Sequence, residues 1–133
     1  MRTMGSWPAL VCGGVALLCA PLLGHHSFGV YYLDQDTIEV EGDVVEFQYK
    51  NPHSWIHVAG KDAFLRPRIF AGEWASTSRL EQDGITKNTL RIGDNVRIWA
   101  SPSRNPNDNR VRIKRIERPS DHWKWGQNPR ERR

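Results

Sequence analysis

A long alternating stretch from Thr37 to Lys50, with a glycine at its middle, limits the folds open to this chain. Ile38, Val40, Val44 and Phe47 are spaced by Glu39, Glu41, Asp43 and Glu46, the two-residue period of a strand with one apolar face. Strict alternation fails around Gly42. A glycine inside a strand pattern is where a bulge or sharp bend belongs, and small barrels depend on such bends.

The other elements are short. Phe28 to Leu33 reads as a first strand, with Asp34-Gln35-Asp36 as its turn. Asn51-Pro52 makes a corner, because proline fixes φ and asparagine bonds its own backbone. Ser54 to Ala59 resumes as a strand in which His53, Trp55 and His57 share one face and Ser54, Ile56 and Val58 the other. Arg68 to Ala75 follows after Arg66-Pro67. Ser76 to Gln82 is the only credible helix: Ser78-Arg79-Leu80-Glu81 resembles a capping box, and Gly84 stops it. Asn95 to Ala100 and Arg110 to Glu117 are the last strands, the latter with Ile116 out of step. About six strands and one helix between the middle ones point to a mainly β domain. The expected form is a small antiparallel barrel of the oligonucleotide/oligosaccharide-binding (OB-like) type, with an open β-sandwich as the alternative.

Residues 1–24 carry Arg2, then an apolar run from Ala9 to Leu23, then Gly24. That is the pattern of a secretory signal and is short for a membrane span; the competing reading is an uncleaved anchor. Cleavage after Gly24 makes His25 the first mature residue, although Leu22 is larger than the usual residue at that position. The expected address is periplasmic or secreted. Both cysteines, Cys12 and Cys19, fall in this leader, so the body has no disulfide and no thiolate. The formal charge of +4 is not a nucleic-acid signal. Residues 25–117 hold 13 Lys+Arg and 13 Asp+Glu, and the excess sits at Arg2 and in residues 118–133. That last segment reads as a basic, disordered tail, within which His122-Trp123-Lys124-Trp125 is positioned to dock on a membrane surface or fold back over a barrel opening.

His25-His26-Ser27-Phe28, the Gly42-centred strand, Asn51-Pro52-His53-Ser54-Trp55, Glu73, a helix ending in Leu80, Gly84, Leu90 and Gly93-Asp94 together form a recognisable set. It resembles DUF6152, a family of small exported bacterial proteins of unknown function, from about His25 to Glu117. The resemblance implies export and a small β fold, and it brings no activity or catalytic residues.

Three classes of chemistry are open. In the first, a terminal His25 offers amine and imidazole to one ion, His53 completes a three-nitrogen plane, and His26 competes or adds. That set suits Cu(II), with zinc as the alternative. The bland reading makes these histidines surface or turn residues. His57 does not join His53, since four residues of regular strand span about 13 Å. In the second class, the barrel is a non-catalytic module for a glycan or an envelope protein, using Trp55, His57, Glu73, Trp74, Trp99 and Tyr49. Against that, a body this small needs most of its aromatics in the core. In the third, Glu73, Asp94 and His53 assemble a hydrolytic acid/base set, but no motif brings them together. A metal-binding accessory, copper first, is the leading expectation.

Overall fold

The structure is a computed structural model and describes residues 28–127. A 3-10 turn at Phe28–Val30 is followed by β1 (Ile38–Gln48), β2 (Trp55–Lys61), β3 (Pro67–Glu73), α1 (Thr77–Gln82), β4 (Asn95–Pro102), β5 (Arg110–Arg118) and β6 (Trp123–Gly126). Hydrogen-bonded neighbours run β3-β2-β1-β4-β5-β6, and a parallel pairing of β3 with β5 closes the first five into a barrel. Closure decides for the OB-like barrel over the open sandwich.

β1 makes the barrel possible by serving two partners. Residues Ile38 to Asp43 pair with β4, and Asp43 to Gln48 pair with β2. Gly42 sits at the changeover, where a Cβ would fall 2.0 Å from the Ala59 carbonyl oxygen. The shift in register lies slightly further on, between Val44 and Glu46. Val40 and Val44 are buried in one phase and Phe47 packs on the core in the other. The bulge is therefore near Val45, and Gly42 is instead a point of close strand approach. A second irregularity explains the out-of-step Ile116: Trp99 pairs with Arg115 and Ala100 with Ile113, so Lys114 is the extra residue. Ile113 and Ile116 can then both face inward.

The core gathers Val40, Val44, Ile56, Val58, Leu80, Val96, Ile98, Val111 and Ile116, among others. Each fully buried aliphatic side chain contributes about 1.5–3 kcal/mol. Helix α1 plugs one end through Leu80. Its N-cap is Ser76, whose Oγ accepts from the Arg79 N–H, so the cap lies two residues before the expected box. Its other end is a Schellman motif: Gly84 N–H donates to Glu81 O and Ile85 N–H to Leu80 O, with Gly84 at φ 77°.

Two expectations are corrected. Phe28 to Leu33 is not a strand: Phe28 O accepts from the N–H groups of Tyr31 and Tyr32, and only Tyr32 bridges, to Ser103. Val30 and Tyr31 stay exposed while Tyr32 buries, so the run has no strand-like apolar face. Nor is the whole of 118–133 a disordered tail. Trp123–Gly126 pairs antiparallel with Arg115 to Arg118, and Trp125 packs edge-on against Trp74 at 5.0 Å. The fold-back over the barrel is thus the observed arrangement for this segment. Residues 128–133 lie outside the described residues, as do residues 1–27, His25 and His26 among them.

Candidate functional site

The Asn51-Pro52-His53-Ser54 corner is held from both sides. Asn51 Oδ1 accepts from the Thr77 N–H and hydroxyl at the start of α1. Ser54 N–H donates to Ala75 O, and Trp74 N–H donates to Ser54 O. With Trp55 opposite Glu73 in the β2–β3 ladder, His53 is delivered to the Glu73 carboxylate. His53 Nδ1 lies 2.5 Å from Glu73 Oε1, so the ring nitrogen and the carboxylate are in direct contact. The Tyr32 hydroxyl donates to the other oxygen, Oε2, also at 2.5 Å. Burial, then the adjacent carboxylate, push the Tyr32 phenol well above its ordinary value, so it remains a neutral donor.

Tyr32 is anchored by its own segment. Leu33 N–H donates to Pro102 O, Arg104 N–H to Tyr31 O, and Arg104 Nε to Gly29 O. The same segment sets the Phe28 ring 5.5 Å from the His53 ring, with the guanidinium of Arg112, on β5, 3.9 Å from the Phe28 centroid. Phe28, Tyr31, Pro52, His53, Trp55 and Glu73 line a cavity of about 290 Å³. With Nδ1 committed to Glu73, Nε2 is the ring's free nitrogen, without a partner among the described residues.

Of the residues singled out from sequence, His53, Glu73 and Trp55 come together. His57 does not: it points outward from β2, its Nδ1 3.1 Å from Glu46 Oε2 in a contact too poorly aligned to be a hydrogen bond. Trp74 is a core residue, 3% exposed, against Phe47 and Trp125. Trp99 lies on the outer side of β4 beneath Arg115, paired with Glu39, and does not line the cavity. Tyr49 spans to the helix, with its hydroxyl on Glu81. Asp94 is held by Arg118 at 2.6 Å and so is absent from the Glu73–His53 pair. Arg68 pairs with Asp62, and Arg97 with Glu39 and Glu41, so neither reaches Glu73. Tyr32 was missed. It buries between exposed Tyr31 and half-buried Leu33, bridges to Ser103, and so brings its hydroxyl to Glu73. Among the described residues, no group of three or more His, Cys, Asp or Glu side chains is arranged to hold a metal ion.

A closed five-stranded barrel with one short helix and a carboxylate-backed histidine at a small aromatic cavity defines the class: a compact OB-like β domain. The chain belongs to DUF6152, a family of unknown function, whose model matches residues 12–112. The match ends within β5, so β6 and its two tryptophans lie beyond it. No curated protein and no solved structure matches the chain.

Proposed function

We propose that this is an exported accessory protein that binds a metal ion, copper first, through His53 together with His25 and His26. One observation carries the reading: His53 presents a single free nitrogen, Nε2, because Glu73 occupies Nδ1. A carboxylate on the second nitrogen fixes the tautomer and ring orientation of a metal-ligating histidine and raises its basicity. The position of Phe28 adds support. Its ring meets that of His53, and each residue of chain spans at most ~3.6 Å. His26 and His25 are two and three residues before Phe28 in the chain, lengths that span at most ~7 Å and ~11 Å. Both imidazoles have the reach to meet His53.

Cleavage before His25 adds an α-amine to the donors, and an amine with two or three imidazoles is the nitrogen-rich set that Cu(II) prefers. Zinc is the alternative ion. The test is Cu(II) titration of protein recovered after export, with a version carrying one added residue before His25. Weaker binding by the extended form supports the terminal amine as a ligand; equal affinity removes it.

A second reading rests on the aromatic lining of the same cavity, where Phe28, Tyr31 and Trp55 offer stacking surfaces. Under it the barrel is a non-catalytic module for a glycan or envelope protein. Tryptophan fluorescence that responds to a glycan and ignores Cu(II) selects this reading over the first.

A further inference from the structure

The β2–β3 hairpin ends in a turn that presents two apolar side chains to solvent, Phe64 at 77% exposure and Leu65 at 76%. The turn is braced rather than loose. Asp62 accepts from the N–H groups of Phe64 and Arg66 and from Arg66 Nε, and its own N–H donates to Arg66 O. Leu65 holds φ at 60°, a left-handed conformation that leucine adopts at a cost and that asparagine or glycine adopts more readily. A strained, exposed leucine beside an exposed phenylalanine has no account in the packing of the barrel.

These side chains do not stand alone. Phe64 and Arg66 border a cleft of about 800 Å³ whose opposite wall is the loop from Ser103 to Asn109. The other flank of that loop meets Val30 and Tyr31, which are 65% and 56% exposed. This end of the barrel therefore carries two apolar tips on either side of one loop. Residues 61–68 and 103–110 supply five cations (Lys61, Arg66, Arg68, Arg104, Arg110) against the carboxylates of Asp62 and Asp108, and Glu39 adds a third carboxylate on the cleft wall, leaving a net positive rim. In sequence, Val30 lies seven residues after Leu23, where the apolar run that starts at Ala9 ends.

We propose that this end of the barrel seats on the surface of an anionic phospholipid bilayer, with Phe64 and Leu65 entering the headgroup boundary and the surrounding cations meeting lipid phosphates. Apolar tips ringed by net positive charge are the physical requirement for interfacial binding. A rigid turn needs no further ordering on contact. The inference does not depend on metal binding by His53: it rests on Phe64, Leu65 and the cations around them, and shares only Tyr31 and Arg110 with the lining of the His53 cavity.

The test is amide hydrogen exchange of the full chain with anionic vesicles, zwitterionic vesicles and none. A local readout separates this face from any binding by the leader. Anionic vesicles are expected to slow exchange across residues 62–66 and 29–31, and to leave residues 91–93 around exposed Ile92, at the far end of β4, unchanged. The double variant Phe64→Ser, Leu65→Asn should abolish that protection and, in leader-free protein recovered after export, lower vesicle partition about tenfold or more. Asparagine suits the left-handed position, so the fold is retained. Vesicle binding without slowed exchange at residues 62–66 would overturn the proposal. So would equal protection by zwitterionic vesicles, or protection that survives in the double variant.

Discussion

Glu73 stands between His53 and Tyr32, one carboxylate oxygen to each at 2.5 Å. Strand pairing places it there: β3 holds Glu73 opposite Trp55 on one side and Arg112 on the other. The histidine comes from the corner before β2 and the tyrosine from the segment before β1. Three distant parts of the chain thus converge on one acid.

Glu73→Gln tests that convergence. The amide keeps the shape but loses the charge that faces His53 Nδ1. Affinity for Cu(II) should fall about 10–100-fold, the usual effect of losing the group behind a ligating histidine. Thermal unfolding should shift by no more than a few degrees. Titration calorimetry on the two proteins checks it.

Tyr32→Phe removes the donor to Oε2 and leaves a half-buried carboxylate oxygen unpaired. The cost should be about 1–3 kcal/mol in urea unfolding near neutral pH. The pH dependence has a definite sign. The native phenol is shifted above its ordinary 10.0 by burial and by Glu73, so its contribution is complete below pH 10. It is lost as pH climbs from there toward the raised native value, because the unfolded chain ionises first. The wild-type protein should therefore lose stability above pH 10 more steeply than Tyr32→Phe. Parallel curves would contradict this.

Trp125→Ala uncovers one side of Trp74 and frees Asp83, which accepts from the Trp125 indole N–H at 2.8 Å. Since Trp125 is only half-buried, the loss should be about 2–3 kcal/mol, below that of a fully buried tryptophan. The emission of Trp74 should move to the red. A variant as stable as wild type would make β6 an ornament on the barrel.

Much of the fold was legible before the structure. The in-out parity of Ser54, Ile56 and Val58 against Trp55 and His57 came directly from the strand period. The out-of-step Ile116 announced the irregularity at Lys114. The strand expected at Phe28 failed because a run of consecutive apolar residues does not reveal which of them buries. β6 was hidden because charge around Trp123 and Trp125 resembles a solvated tail. Of the site, His53 and Trp55 were visible in one short motif, and Glu73 only as a candidate. Its pairing with Tyr32 depends on a Phe28-centred turn and a β-bridge to Ser103, neither of which has a period or a motif.

Gly42→Ala probes the close approach of β1 and β2. The added Cβ would lie 2.0 Å from the Ala59 carbonyl oxygen, a backbone atom that cannot rotate away. The strands must separate, and the cost should be roughly 3 kcal/mol, read as a lowered urea midpoint. A cost below about 1 kcal/mol would mean that β1 and β2 relax apart easily.

The most direct test of the metal assignment is electron paramagnetic resonance of Cu(II) bound to exported wild-type and His53→Ala protein. The account predicts a tetragonal, nitrogen-rich signal at one equivalent of copper, with one nitrogen fewer and at least about 100-fold weaker binding in the variant. Identical spectra and affinities in the two proteins would contradict it.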